Sequence, residues 1–237
     1  MPTSLGRRFL VFLLAVLALL VAPTVATTAD KIVIFGAESG SHLKLSTKAH
    51  GKKIVVKGFQ AGAHPKGCWL APNRMKAVCP VRKAKSIEIV MGNSGDFVEV
   101  LDRLPVRLTV YLGGGSDKFI GNGERDTCFS QGARRNRCIG RGGNDICITG
   151  LRNSDCVGGR GNDYCRHRFG SDGCWGGPGN DVCIMGPGQD GCHGEGGNDR
   201  LYGGRSPDRL YGGRGWDYCD GQRGWGKSRS CDAGPRK

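Results

Sequence analysis

Hydrophobic and polar positions recur every nine residues in the second half of the chain. From Gly140 to Asp220 the sequence divides into nine segments of nine, beginning GRGGNDICI and ending GGRGWDYCD. The eighth position always holds a residue suited to burial: Cys147, Cys156, Cys165, Cys174, Cys183, Cys192, Leu201, Leu210 and Cys219. The sixth position is Asp in eight segments: Asp145, Asp163, Asp172, Asp181, Asp190, Asp199, Asp208 and Asp217.

This period predicts short strands alternating with tight turns. Three residues around the eighth position suit a strand with one side chain pointing inward. The glycine-rich residues before it suit a turn, because glycine adopts positive φ at little cost. Two such half-coils return the chain to its start, so residues 18 apart stack and residues nine apart face each other. Because no repeat can bury its face alone, we predict an all-β stack of parallel coils.

The repeat continues upstream in a weaker form and is interrupted in places. Asp117 and Asp126 precede Phe119 and Cys128, and the frame then slips by one residue to Cys138, with Asn136 in place of Asp. Asp155 stands directly before Cys156 and is out of frame. His167 replaces the first glycine of one segment, and Ser206-Pro207 alters another.

The first half of the chain predicts further strands. Residues 31–36, 42–47, 52–59, 86–92 and 106–112 are rich in β-branched and aliphatic side chains, and the last of these alternates regularly. We therefore expect an N-terminal β cap over residues 30–92, repeats over 93–220 and a basic tail over 221–237.

The N-terminal 29 residues resemble a secretory signal. Arg7 and Arg8 precede an apolar stretch from Phe9 to Ala22, followed by small residues with plausible cleavage after Ala26 or Ala29. Fourteen apolar residues span only about 21 Å as a helix, which is short of a bilayer core. We expect a secreted protein that has no membrane segment after cleavage.

Composition supports export and concentrates acidic groups in the repeats. The chain has 237 residues, 42 Gly and 12 Cys, with a formal net charge of +14. Residues 30–139 carry 19 basic and 9 acidic groups, whereas residues 140–220 carry 9 and 11. An even, high cysteine count is typical of an oxidising compartment.

The repeats resemble the hemolysin-type, or RTX, calcium-binding family, whose signature is G-G-x-G-x-D-x-U-x. Residues 158–166, 176–184 and 212–220 match it at every specified position. The resemblance implies a parallel β-roll, a right-handed β-helix of nonapeptide repeats, with Ca²⁺ as the cofactor in its turns. The ligands it implies are Asp117, Asp126, Asp145, Asp163, Asp172, Asp181, Asp190, Asp199, Asp208 and Asp217, with Gly158, Gly161, Gly176, Gly179, Gly212 and Gly215. Stacked turns would offer about six sites, four in one row and two in the other. The alternative is that the aspartates only cap turns.

Cysteine at the buried position departs from that family. The thiols either fill the thin core as small hydrophobic groups or form disulfides. Pairing of sequence neighbours uses all twelve: 68–79, 128–138, 147–156, 165–174, 183–192 and 219–231. Pairing of residues 18 apart is the rival arrangement. The absence of C-x-x-C and C-x-x-H spacing argues against zinc, and the five histidines, which share no ligand spacing, are expected on the surface.

Together these features predict a secreted, non-catalytic calcium-binding protein. An adhesion or cell-wall module is the alternative, because Lys44, Lys48, Lys52, Lys53 and Lys57 could bind a polyanion. Their strands lack interleaved aromatic residues, so specific nucleic-acid binding is not expected. A secreted enzyme is a second alternative, although the sequence contains no identifiable catalytic His–Asp set.

Overall fold

The computed structural model is an all-β protein. It describes residues 25–28, 31–35, 40–48, 53–57, 69–70, 76–80, 84–101, 104–132, 134–222 and 227–232. Its strands, in chain order, are β1 Val25–Thr28, β2 Lys31–Phe35, β3 His42–Lys48, β4 Lys53–Lys57, β5 Trp69–Leu70, β6 Lys76–Pro80, β7 Ser86–Val90, β8 Phe97–Val100, β9 Arg107–Tyr111, β10 Lys118–Ile120, β11 Thr127–Ser130, β12 Arg137–Gly142, β13 Ile146–Thr149, β14 Asp155–Arg160, β15 Tyr164–Arg166, β16 Gly173–Pro178, β17 Val182–Ile184, β18 Gly191–Gly196, β19 Arg200–Tyr202, β20 Arg209–Arg214, β21 Tyr218–Asp220 and β22 Lys227–Arg229. Among the described residues, no helix is long and apolar enough to cross a membrane.

The strands form two sheets that face each other across a thin core. The ten-stranded sheet has the order β1-β2-β7-β9-β11-β13-β15-β17-β19-β21, and the twelve-stranded sheet has the order β22-β20-β18-β16-β14-β12-β10-β8-β3-β4-β6-β5. In the repeats each coil gives one strand to each sheet, and Cys147, Cys165 and Cys183 are successive partners. This 18-residue register confirms the predicted parallel β-roll, a solenoid of about eight turns.

The N-terminal strands extend both sheets. The strands predicted in the first half of the chain lie within one or two residues of β2, β3, β4, β7 and β9. β2 pairs with β7, and β3 with β8, in parallel, while β4, β6 and β5 add antiparallel strands beyond β3. The parallel pairing thus crosses residue 92, and the domain division there stays a prediction. Most of the predicted signal lies outside the described residues, and its residues 25–28 form β1.

The core changes chemistry along the roll. Its N-terminal part is built from Ile, Leu, Val and Phe side chains, such as Leu43, Ile89 and Phe119. Its C-terminal part is built from eight buried eighth-position residues, namely six cysteines with Leu201 and Leu210, together with Met185. The cysteine side chain is small enough for the narrow gap between the two sheets.

Disulfides join neighbouring half-coils. The bonded pairs among the described residues are Cys128–Cys138, Cys147–Cys156, Cys183–Cys192 and Cys219–Cys231. These confirm neighbour pairing over pairing 18 apart. Cys79 is also disulfide-bonded, and its predicted partner Cys68 lies outside the described residues.

The predicted Cys165–Cys174 bond is wrong in this structure, which holds both residues as buried thiols. The Sγ of Cys165 lies 3.1 Å from the Nε2 of His167, a side chain that stands two residues along the same coil. The Cys165 thiol therefore contacts an imidazole within the core.

Candidate calcium-binding turns

The sixth-position residues form two rows, one along each side of the roll. We call row A the turn residues that precede strands of the ten-stranded sheet: Asp126, Asp145, Asp163, Asp181, Asp199 and Asp217. We call row B those that precede strands of the twelve-stranded sheet: Asp96, Asp117, Asn136, Ser154, Asp172, Asp190 and Asp208. The roll therefore brings all ten predicted aspartates into two continuous lines.

One carboxylate oxygen of each aspartate holds the next coil in register. In row A the backbone N–H of Asp145 donates to Oδ1 of Asp163 at 2.6 Å, and Asp163 donates in the same way to Asp181 at 2.7 Å. In row B the N–H of Asp172 donates to Oδ1 of Asp190 at 2.7 Å. Each turn thus satisfies a backbone donor that would otherwise be buried without a partner.

The second carboxylate oxygen, Oδ2, takes no part in this backbone hydrogen-bond ladder. In both rows this oxygen is buried and lacks a hydrogen-bond partner: in row A at Asp145, Asp163, Asp181, Asp199 and Asp217, and in row B at Asp96, Asp117, Asp172 and Asp190. Asp126 differs, because its Oδ2 accepts the N–H of Asn122 at 2.9 Å. A buried carboxylate oxygen without a partner carries a large desolvation cost, which a cation would remove.

Burial weakens the acidity of these groups. It raises the pKa of Asp145 to about 8 and that of Asp181 to about 7, and neighbouring carboxylates in the row add to the effect. It also raises the pKa of Asp163 and Asp199 to about 6. Close spacing of like charges in a desolvated line disfavours ionisation unless a positive charge is present.

Row A keeps space beside each unpartnered oxygen. The first residue of each of its repeats is glycine: Gly140, Gly158, Gly176, Gly194 and Gly212. A Cβ on any of them would overlap the Asp side chain of the same turn. At Gly140 and Gly194 it would also lie 2.7 and 2.6 Å from the carbonyl oxygens of Gly158 and Gly212, one coil further on. Carboxylate and carbonyl oxygens together are the hard donors that Ca²⁺ prefers, so these turns fit that ion.

Row B fills the equivalent space with side chains. Its repeats begin with Thr149, His167 and Met185, all at most 4% exposed. The Nδ1 of His167 lies 2.6 Å from the Thr149 hydroxyl and 3.7 Å from Oδ2 of Asp172, and burial lowers the pKa of the ring to about 4. The expectation that His167 lies on the surface is wrong, because the roll turns it inward. Only the last row B repeat, which starts at Gly203, has glycine there.

Glycine later in the turn permits close stacking of coils. Gly161, Gly179 and Gly215, at the fourth position, have φ of 131°, 151° and 127°. A Cβ on any of them would overlap a carbonyl of the preceding coil. The predicted glycines thus fall into two classes: Gly158, Gly176 and Gly212 border a carboxylate, whereas the fourth-position glycines bring backbone carbonyls together.

The interruptions in the sequence have clear places in the rows. Asn136 accepts the N–H of Asp117 at 2.7 Å, so it replaces aspartate as an acceptor. Ser154 takes the row B position, and Asp155 points outward to Arg135 at 2.9 Å. The predicted ligand set left out Asp96, although residues 95–98 indicated a degenerate repeat, and Asp232; these extend rows B and A. The sequence feature that could have indicated Asp96 as a row residue is its position 21 residues before Asp117, close to the length of one coil.

Comparison with known proteins agrees with this arrangement. Residues 193–224 match the family model of the RTX calcium-binding nonapeptide repeat (4 copies). No curated protein matches the chain. Repeats of this type bind Ca²⁺, and proteins that carry them are typically extracellular and non-catalytic. Residues 193–224 thus carry calcium-binding repeats of the RTX type, and they lie in a β-roll with regularly placed cysteines.

Proposed function

We propose that this chain is a secreted, non-catalytic protein whose β-roll takes up calcium chiefly along row A. The observation that carries the proposal is the contrast between the rows. Oδ2 atoms without a hydrogen-bond partner occur in both rows, but row A has glycine beside them, whereas row B places Thr149, His167 and Met185 in the same space. A cation between coils needs that space, so side chains there disfavour binding.

The proposed ligands follow from this contrast. The carboxylates of Asp145, Asp163, Asp181, Asp199 and Asp217 line five stacked turns, which leave four gaps between them. The carbonyls of the first-position glycines, including Gly158, Gly176 and Gly212, would supply further oxygens. Asp126 and the row B residues Asp117, Asp172, Asp190 and Asp208 are proposed as weaker or structural positions. Of these, Asp208 is the best placed for calcium because Gly203 precedes it.

Titration calorimetry of the mature chain tests the assignment. We expect about four ions per chain from row A, one per gap. Asp181→Asn should remove about two of them, because Asp181 borders two gaps, whereas Asp172→Asn should change the count little. Equal losses in both variants would refute the assignment to row A, and no calcium uptake by the native chain would refute the function itself.

Secretion is part of the proposal. It rests on the N-terminal signal pattern and on the disulfides, which persist in oxidising compartments. Expression of the full chain in a secreting host, with N-terminal sequencing of the product, tests it. A product in the medium that begins after Ala26 or Ala29 is expected, and an uncleaved, cell-associated chain would contradict the proposal.

A second candidate function is polyanion binding by the N-terminal strands. Lys57 on β4 lies opposite Lys44 on β3 and Lys76 on β6, and in the described strand pairings Lys44 also lies beside Glu99 on β8. Like charges directly opposite each other destabilise a sheet, and an anionic polymer would relieve this repulsion. Retention on a teichoic-acid matrix should fall on Lys44/Lys57→Ala. Lys227→Ala, at the other end of the same sheet, is the control, and equal retention of both variants would refute the site.

A further inference from the structure

The outer faces of the two sheets differ in polarity. The strand residues on either side of a buried residue point away from the core. On the ten-stranded sheet, the outward residues from β11 to β17 are mostly apolar: Phe129, Ile146, Ile148, Tyr164, Val182 and Ile184. On the twelve-stranded sheet, one row of outward residues carries charges: Lys118, Arg137, Asp155, Arg209 and Lys227. We call the outer face of the ten-stranded sheet from β7 to β21 the apolar face.

The apolar face is partly open to solvent. Each of its six apolar residues from β11 to β17 is partly exposed, and Tyr111 on β9 is 39% exposed. Eight strands about 4.8 Å apart extend over about 34 Å, and four to five extended residues are about 15 Å wide, so the face covers about 500 Å². A patch of this size on a soluble protein is often an interaction site.

Aromatic side chains on this face are already ordered. The rings of Tyr111 and Phe129 stack with their centroids 5.0 Å apart and their planes 11° apart. A partner that covers them therefore restricts little further side-chain freedom, which lowers the entropic cost of association.

Two charged residues occupy symmetric positions on the apolar face. Glu88 on β7 and Arg200 on β19 belong to one row of outward residues, three strands before and three strands after Ile146 on β13. A two-fold axis that runs parallel to the strands and passes over Ile146 would place Glu88 of one copy opposite Arg200 of a second copy. Opposite charges across an interface fix its register and orientation.

Arg166 is accommodated by the same arrangement. In the other row of outward residues it lies one strand after Ile148, and Phe129 lies one strand before Ile148. Arg166 of one copy would therefore lie opposite Phe129 of the second copy and not opposite another charge. The aliphatic part of an arginine side chain can pack on an apolar group while the guanidinium reaches solvent at the rim.

We propose that two copies of this chain associate through their apolar faces, about a two-fold axis parallel to the strands. Two faces bury about 1,000 Å² in total, which is the lower limit for a specific interface, so the dimer is weak. An axis along the roll would instead place Glu88 opposite Val90 of the second copy and bury a charge against an apolar side chain. The interface uses neither the calcium ligands nor the N-terminal lysines.

Sedimentation equilibrium of the oxidised protein in millimolar calcium tests the dimer. We expect a reversible monomer–dimer equilibrium in the micromolar range. Ile148→Glu sets two like charges face to face beside the axis and should leave only monomer. Val157→Glu is the matched control, because Val157 has the same place in its repeat, is also partly exposed and lies on the outer face of the other sheet. This variant should dimerise as the native chain does.

An exchange of charges tests the arrangement of the two copies. Glu88→Arg and Arg200→Glu should each weaken the dimer about tenfold, because each variant sets like charges opposite each other at two symmetric places. The double variant Glu88→Arg/Arg200→Glu should restore the native dissociation constant, because opposite charges meet again. Circular dichroism checks that each variant is folded.

Three results would overturn the proposal. One is a native chain that stays monomeric at high micromolar concentration, and another is equal dimerisation of Ile148→Glu and Val157→Glu. The third is a double charge variant that dimerises no better than the single variants, which would exclude the axis parallel to the strands. The charge exchange leaves the apolar side chains in place, so it remains decisive if Ile148→Glu fails to fold.

Discussion

Replacement of Asp181 by asparagine should have opposite effects on stability with and without calcium. Asparagine keeps an oxygen that can accept the N–H of Asp163, now bonded to Oδ1 of Asp181 at 2.7 Å. Asn136 already plays this part for Asp117 in row B. The substitution therefore removes the buried charge and leaves the backbone ladder intact.

The size of the effect without calcium follows from the shifted pKa. Burial raises the pKa of Asp181 from 3.8 to about 7, so ionisation disfavours the folded state. The shift corresponds to roughly 4 kcal/mol at full strength, and we expect about 2 kcal/mol once solvent screening beside the turn is allowed for. Because the folded pKa is the higher one, the native chain has this stability below pH 3.8 and loses it as the pH rises through about 7. Asp181→Asn should therefore be more stable than the native chain at pH 8 in EDTA, and the gain should vanish near pH 4.

The sign should reverse when calcium is present. A ligand that binds only the folded state adds about 2.7 kcal/mol per site at a concentration of 100 Kd. Asp181 borders two gaps, so the variant should lose roughly 3–5 kcal/mol of that stabilisation. Urea unfolding at pH 8, in EDTA and in millimolar calcium, measures both effects.

Asp155→Asn is the matched control for this experiment. Asp155 is outside both rows and pairs with Arg135 near the surface, so the variant should respond to calcium as the native chain does. Destabilisation of Asp181→Asn in both media, or an unchanged calcium response, would contradict the assignment of row A as the cation site.

Three further substitutions or conditions give independent checks. Gly158→Ala should cost about 1–3 kcal/mol of unfolding free energy and weaken calcium binding, because the new Cβ would lie 2.7 Å from the Cβ of Asp163. Gly191→Ala should be tolerated, because a Cβ there meets no atom within 4 Å. Equal melting temperatures of the two variants would contradict this reasoning. Glu195→Gly should stabilise the chain by about 0.5–1 kcal/mol in urea unfolding, because Glu195 has a φ of 75°. Arg141→Gly should gain less, since the Arg141 side chain donates to Val100 O at 2.8 Å, and a larger gain there would show that strain is not the cause. In EDTA, the oxidised protein should retain the β signal in circular dichroism and the reduced protein should lose it, because each short disulfide loop adds about 2–3 kcal/mol to the free energy of unfolding. Loss of the signal in both the oxidised and the reduced protein would mean that calcium alone folds the roll.

Much of the architecture could be predicted from the nine-residue period of the sequence. The nine-residue period fixed which side chains point inward, because a strand of three residues buries only its central one. It also favoured the pairing of Cys147 with Cys156 and of Cys183 with Cys192, since residues one half-coil apart face each other, while the structure decided against pairing 18 residues apart. The Asp column and its split into two rows follow from the same period.

The difference between the rows and the sulfur–imidazole cluster came from the tertiary structure. Oδ1 of each row A aspartate accepts from a donor 18 or 19 residues away, and Oδ2 has no hydrogen-bond partner from Asp145 to Asp217, so only the stacked coils show which oxygen stays available. His167 looked like a surface residue, because its spacing to other ligands along the chain says nothing of its neighbours across the roll. Its contacts with Thr149 one coil before it, and with Cys165 beside it, exist only because each coil is closed against the next. The sequence period determines which residues lie on a row, and three-dimensional packing determines which of their atoms remain available to bind an ion.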